Sequence, residues 1–489
     1  MKWVWVLSGA LFLSACGGNG NTSDSETSLP VTGPTSAPFP SGGPSESDGE
    51  GFKINIHLAP TSGGSVTLIP HQEYYQAGEQ VYVKVEVNPG YHFIGWSGAE
   101  EIVSPLVVDR PLNLTAEFIE TEKTIITVAN NNELHQGFVT AKQLGGHTTL
   151  LLQDGDYQLN RTQVIDTEHI TLRSQSGDRD KVRIWGPDNY NMFLVRASHF
   201  TIDGVTMGGA RGRPSGFVQW HVVQIQGEQN ADHFRLTNSK VVDAEEQLIK
   251  VSSNGDTPDI SADFGHIENN IFEFSTGQAF GWYTGGIDAH RAHHWVIRGN
   301  LFRNIHNNNP QPGSNPALTE GAIHFWSESV GSLIENNIIV QCDRGIMLGL
   351  DSSGHQHGII RNNFIVTNKD VGIYLAHASD TQVYNNTVWL DSDYVNAIEY
   401  RFERSINNVI VNNLTNGLIR QRNGGQAELE ANITEAQAGW FVDYKVGDLH
   451  LRQEIESVVD QGIYIEGLWH DIDGQQRPVN GIDIGADER

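Results

Sequence analysis

The feature that most constrains this chain is a degenerate repeat between Leu248 and Leu429, which in register reads LIKVSS, GIDAHR, AIHFWS, GIMLGL, GIYLAH, AIEYRF and LIRQRN. Its shared aliphatics are Ile249, Ile287, Ile323, Ile346, Ile373, Ile398 and Ile419, and the last five intervals are 36, 23, 27, 25 and 21 residues. Each unit alternates with the period of a strand, and no helical pattern separates the units. Most units hold a second strand that ends in asparagine: IENNIF, VIRGNLF, LIENNIIV, IIRNNFIV, QVYNNTVW and VIVNNLT. Units of this length share a core only when stacked, so the pattern predicts an all-β solenoid. The pairs Asn269/Asn270, Asn336/Asn337, Asn362/Asn363, Asn385/Asn386 and Asn412/Asn413 suit a tight bend, because Asn tolerates left-handed backbone angles. Stacked coil on coil, their amides form a ladder.

Alternation then sets which side chains face out. With each register Ile turned to the core, residues one and three positions later face solvent. This gives a stripe of Lys250 and Ser252, Asp288 and His290, His324 and Trp326, Met347 and Gly349, Tyr374 and Ala376, Glu399 and Arg401, and Arg420 and Arg422. An idle sheet face carries Thr, Ser, Lys and Glu without pattern. This one clusters histidines, aromatics, carboxylates and arginines on neighbouring coils, a set suited to stacking on sugars and gripping carboxylates or sulfates. Three insertions border it: Ser252 to Gly265, His306 to Gly321, and Ser275 to Gly286, the last contributing Trp282 and Tyr283. Loops on a rigid scaffold form binding clefts, which places the cleft near Lys250, His290 and His324.

The balance of charge narrows the partners. A formal charge of −28 over 489 residues excludes nucleic acid as an expected partner. No zinc motif, nucleophile elbow or phosphate-binding loop is present. Residues 1–15 read as an export signal, with Lys2 before the apolar run Trp3 to Leu13. The sequence Leu13-Ser14-Ala15-Cys16 resembles a bacterial lipobox, which implies lipidation of Cys16 and an anchor in the cell envelope without a transmembrane helix. With Cys16 acylated, Cys342 has no partner and reads as a small buried side chain. Residues 16–50, rich in Gly, Ser and Pro, read as a flexible tether. The protein is expected to act as a monomer.

Residues 51–120 form a small all-β unit of short alternating runs. Its core of Gly90, Tyr91, Phe93, Gly95, Trp96, Ser97 and Gly98 resembles the repeat of internalin-type bacterial surface proteins, which implies a spacer or adhesion module. From residue 121 to 489 the chain resembles the pectin-lyase-like right-handed parallel β-helix proteins, on the strength of the repeat and of TTLLLQDGDYQL as an opening coil. Glu133 to Leu144 is expected to form a capping helix, and DIDGQQRPVNGIDIGADER resembles the closing sequence of surface β-helix proteins. Within that last stretch, Asp471, Asp473 and Gly474 read as a plain turn rather than half a calcium loop.

The segment from Asp243 to Ser253 resembles part of the site of the chondroitinase B and alginate lyase family. That resemblance implies Lys250 as the base, Asp243 and Glu245 as ligands of Ca²⁺, and Arg291 or His290 as partner. The family's Arg-His-Gly stands here as His290-Arg291-Ala292, after a longer insertion. Such enzymes abstract the proton beside a uronate carboxylate and eliminate the glycosidic oxygen, which requires a neutraliser, a base and an acid. The expected function is therefore cleavage of a uronate polysaccharide by β-elimination, with catalysis at Lys250, His290, Arg291 and His324. Substrate binding is expected at Asp288, Trp326, Tyr374, Glu399, Arg401, Arg420, Arg422, Trp282 and Tyr283. Three alternatives stay open: a glycan-binding adhesin, an epimerase sharing the proton abstraction, and a hydrolase, whose carboxylate pair would have to be Asp288 and Glu399.

Overall fold

The computed structural model describes residues 51–88, 90–97, 105–120, 124–186, 191–210, 221–255, 260–281, 283–308 and 318–489. The expected signal segment, Cys16 and the tether lie outside the described residues, as does Trp282.

Two three-stranded sheets make the small N-terminal unit. Strand Ile54–Ala59 pairs in parallel with Leu112–Glu120, which pairs antiparallel with Tyr91–Ser97. Gln80–Val87 joins Gly64–Ile69 to Leu106–Val107, antiparallel on both sides. Ile54, Leu68, Tyr75, Val81, Leu112 and Leu114 fill the space between the two sheets. Phe93 packs against Trp96 and Phe118 at centroid distances of 5.5 and 5.6 Å, so these aromatics are packing residues.

The remainder is a right-handed parallel β-helix. Among the described residues three parallel sheets of ten, twelve and ten strands run its length. The capping helix spans Asn131–Gln143, starting two residues and ending one residue earlier than the sequence suggests. Its start is set by Asn130, whose side chain accepts from the N–H groups of Asn132 and Glu133, while Glu133 accepts from the N–H of Ala129 at 2.8 Å. The helix lays Leu134, Phe138 and Ala141 over Val128 and Leu150, covering apolar side chains that an open coil would expose.

The isoleucine register holds along the whole sheet. Ile249, Ile287, Ile323, Ile346, Ile373, Ile398 and Ile419 are Cα partners from strand to strand. All but Ile419 are buried. The asparagine pairs divide two tasks. The first members take positive φ, from 47° at Asn385 to 60° at Asn269. The second members form a buried ladder in which Asn270 donates to Asn300, Asn300 to Asn337 and Asn337 to Asn363, each at 3.0 Å, and the chain continues through Asn386 and Asn413 to Asn432. Gly299, at φ 64°, stands in for the first member before Asn300.

A different stack occupies the corner where the site-bearing sheet turns into the twelve-stranded sheet. His147, His169, His199, His233, Phe264 and His294 all adopt positive φ. Their rings lie face to face with centroids 4.3 to 5.4 Å apart.

The coils end near Ile433, and the closing sequence is not a last coil. It runs back along the asparagine corner, where the side chains of Asn362 and Asn412 each donate at 2.7 Å to the carbonyls of His470 and Ile463. Phe441, Leu449, Val458 and Ile484 meet Val340, Phe364 and Leu414 in a second apolar core outside the coil. Asp471 accepts from the N–H groups of Asp473 and Gln475, at 3.0 and 2.7 Å, and so forms the expected turn.

Candidate functional site

The outward face of the sheet from Val223–Gln226 to Leu418–Arg422 carries the stripe in the register the sequence implies. Lys250 pairs with Asp288, Asp288 with His324, and His290 with Trp326. The row continues through Met347, Tyr374, Glu399 and Arg420, flanked by Ala376, Arg401 and Arg422.

At its start the stripe contracts into one cluster around a carboxylate. Asp288 is 2% exposed and Lys250 6%. One oxygen of Asp288 accepts from the Lys250 ammonium, and the other accepts from the Trp326 indole at 2.7 Å. Nε2 of His290 lies 2.7 Å from Lys250 Nζ, and the ring meets Trp326 edge-on at 4.3 Å. The His324 ring lies parallel to the indole with centroids 5.5 Å apart. Burial pushes the Asp288 carboxyl upward, but His290, whose Nε2 lies 3.7 Å away, and the charge on Lys250 outweigh it and hold the group far below the usual carboxylate range. Asp288, expected to touch substrate, therefore lies beneath the face as its electrostatic centre.

Burial drives His324 down despite the pull of Asp288 and Glu320, so its ring is neutral. Its Nε2 donates to the carbonyl of Gly349 at 3.3 Å, which leaves Nδ1 as an acceptor 3.6 Å from Glu320 and 3.9 Å from Asp288. That nitrogen has no hydrogen-bond partner among the described residues.

Three functional groups at this end escape a reading of strands alone. Glu246 lies 3.6 Å from His221, and burial raises its carboxyl to about 7 against the opposing charge of Lys250. His221 is itself driven down to about 3 by burial and then by Lys250. Glu320 completes the set. Burial, with Asp288, Glu246 and Glu320 nearby, pushes the Tyr283 phenol up to about 12. The signal for Glu246 was its place beside the strand of Lys250, but the acidic run reads there as a set of calcium ligands.

The other expected residues separate from this cluster. The Arg291 guanidinium binds Glu328 at 2.6 and 3.0 Å and the carbonyl of Asn254 at 3.4 Å, rather than Asp288. The carboxylate of Asp243 accepts from the N–H and hydroxyl of Ser275 at 2.8 and 2.5 Å, and Glu245 offers its carbonyl to Thr284. Glu399 is 1% exposed and accepts from Tyr394, Asn396 and Arg422. Arg401 donates to the Tyr374 hydroxyl at 3.4 Å and to Asn423 at 2.7 Å. Arg420 is exposed, with no hydrogen bond or ion pair among the described residues.

A family model described as periplasmic copper-binding protein (NosD) matches residues 229–433, and one described as divergent InlB B-repeat domain matches residues 54–122. The second coincides with the unit that resembles the internalin-type repeat. No curated protein sequence matches. Among solved structures, pectate lyase Pel9A aligns at 15% identity over 76% of this chain and 97% of its own, with a TM-score of 0.45. Alginate lyase from Paenibacillus sp. str. FPU-7 aligns at 14% identity over 63% of this chain and 97% of its own, with a TM-score of 0.40. A PL6 family polysaccharide lyase from Pseudopedobacter saltans aligns at 12% identity over 68% and 96%, with a TM-score of 0.36.

Proposed function

We propose that the striped face binds a uronate-containing polysaccharide and cleaves it by β-elimination. The observation that carries this reading is the Lys250–Asp288–His290 cluster beneath an outward sheet face. The Lys250 ammonium donates to Asp288 and to Nε2 of His290, 2.7 Å away. The Nε2 lone pair of His290 is the base. It takes the proton beside the uronate carboxylate, the carbon–carbon double bond forms, and the bond to the glycosidic oxygen breaks. Glu246, its carboxyl raised to about 7, supplies the proton that the leaving oxygen takes.

Six strand steps separate Lys250 from the strand of Arg420 and Arg422, roughly 29 Å at ~4.8 Å per step. Tyr374, Arg401, Arg420 and Arg422 along that length suit the carboxylates of successive sugars. The hydrolase reading loses support. Asp288 and Glu399 are four strand steps apart, about 19 Å against the roughly 5–9.5 Å that hydrolysis uses, and both are buried. In this reading the partner is an acidic polysaccharide and the location is the cell envelope, consistent with the lipobox-like segment.

The test is ultraviolet absorbance from the new double bond when the purified protein meets alginate, pectate, ulvan or glycosaminoglycans, each with calcium or with a chelator. Activity that vanishes in Lys250→Ala and His290→Gln supports the reading, and activity lost only with the chelator would support a calcium site at Asp243 and Glu245. No absorbance, with binding retained in both variants, makes the protein an adhesin. No absorbance with new reducing ends makes it a hydrolase.

A further inference from the structure

We propose that the seam between the small N-terminal unit and the β-helix is a transition-metal site whose ligands are His92, His147 and His169. His92 lies on strand Tyr91–Ser97 of the small unit. His147 and His169 head the ring stack on successive coils of the helix. Nε2 of His92 lies 3.0 Å from Nδ1 and 3.1 Å from Nε2 of His147. Its ring stands edge-on to both partners with centroids 4.2 Å away. One ligand nitrogen from each of the three histidines lies within 4.8 Å of the others.

The chemistry of this grouping is that of a cation site. Nitrogen atoms on a tetrahedral ion with bonds of ~2.05 Å sit ~3.3 Å apart, close to the separation already present between His92 and His147. The Cα positions of the two coil histidines are fixed by a turn that recurs once per coil, so their rings project the same way and small ring rotations bring His169 into range. The Glu168 carboxylate lies 3.9 Å from Nε2 of His169. Three imidazoles select Zn²⁺ or Cu²⁺ over Ca²⁺ and Mg²⁺, which take oxygen.

The site opens into a cleft of about 620 Å³ that Lys84 and Glu86 line from the small unit and His199, Arg235 and His266 line from the helix. An ion held there ties residue 92 to residues 147 and 169 and so fixes the small unit against the first coils. None of the three ligands belongs to the Lys250 cluster or to residues 229–433, so the inference is independent of the proposed activity.

The experiment is calorimetric titration of the whole metal-stripped protein with Zn²⁺ and, separately, with Cu²⁺, using Ca²⁺ as the hard-ion control. Elemental analysis of the washed protein gives the stoichiometry. One equivalent of Zn²⁺ or Cu²⁺ is expected, with a raised melting temperature and no response to Ca²⁺. His92→Gln should weaken binding by about 100-fold or more. His169→Phe keeps the stacked ring, as Phe264 does naturally, and removes only the ligand, so it should lose the ion with its fold intact. His450→Ala should keep the ion, because His450 belongs to a separate group with Asp473 and Asp487 near the C-terminus. Absence of stoichiometric binding overturns the inference, and so does binding that survives in both His92→Gln and His169→Phe or disappears in His450→Ala.

Discussion

The indole of Trp326 donates to one oxygen of Asp288 at 2.7 Å, while the other oxygen holds the ammonium of Lys250. One carboxylate thus fixes an ammonium and an aromatic wall two strands apart. Asp288→Asn keeps the shape and removes the charge, leaving a buried ammonium without its counter-ion. Such a loss costs on the order of 3–5 kcal/mol. The variant should unfold at clearly lower denaturant and show no measurable elimination. His290→Gln, with the ring's side chain 22% exposed, should lose turnover while its denaturant midpoint shifts little. Equal loss of stability in both variants would assign the cluster a purely structural role.

Glu246 sets a pH limit of known sign. Burial raises its carboxyl to about 7, so the proton-donating form dominates below that value and is lost as pH rises through it. Turnover on a uronate polymer should therefore fall on the alkaline side of about pH 7. Glu246→Gln should lower the plateau and remove that limb. A limb that stays in place in the variant would assign the donor to another group, with Tyr283 the first to examine.

The stripe was legible because two periodicities coincide: alternation along a strand and one isoleucine per coil. Together they fix which residue follows which across the sheet, and Lys250, Asp288 and His324 fall out in order. Burial was not legible. Asp288 and Glu399 look like surface carboxylates in a string of letters, and only the packing of Trp326, Tyr394 and Arg422 around them shows otherwise. Arg291 and Asp243 follow the residue types of a lyase site, yet their partners Glu328 and Ser275 come from other coils. The histidine stack left a trace in HTTLLL, HITLRS, HFTIDG and HFRLTN, where His opens each strand. Scattered at intervals of 22, 30 and 34 residues, such turn histidines read one by one as surface.

Acid should weaken the fold in two stages. Burial drives His221, His199 and His355 down to about 3, and His169 and His233 to about 4. These rings are neutral in the native state, so their stability contribution is full above about pH 6.5 and drains as pH falls towards 3–4 and the unfolded chain takes up protons. Glu246 and Glu488, raised to about 7, and Asp232, raised to about 6, act oppositely between pH 7 and about 4.5, because the native state takes up their protons first. Urea midpoints should therefore fall gently from pH 7 to about 4.5 and steeply below it. His355→Gln, at a fully buried position that bonds Ser332 at 3.0 Å, should remove on the order of 1 kcal/mol per pH unit of that dependence. A midpoint that rises all the way to pH 4 would overturn the balance.

The asparagine ladder is expected to be most sensitive at its middle. Asn363 donates to Asn386 at 2.9 Å, to the Ile334 carbonyl at 3.0 Å and to the Arg361 carbonyl at 2.9 Å, and it accepts from both the N–H and the side chain of Asn337. Ala at this position strands donors and acceptors on three neighbouring segments with no water to replace them, at about 1–3 kcal/mol for each group left unmade. Asp supplies no donor and adds a buried charge, so it should cost at least as much as Ala. At the ladder's first rung the situation differs. Asn270 already takes the N–H of Ser239 at 2.8 Å, and Ser239 is a hydroxyl residue at the equivalent position one coil earlier. Asn270→Ser therefore moves a natural terminus by one coil and should cost less than Asn363→Ser. Stability in a solenoid is a sum over neighbouring coils, so denaturation melts of the two serine variants give the comparison directly. Equal losses would mean that the amides act as independent turn bonds, whereas a larger loss at Asn363 shows that the ladder works as a connected array.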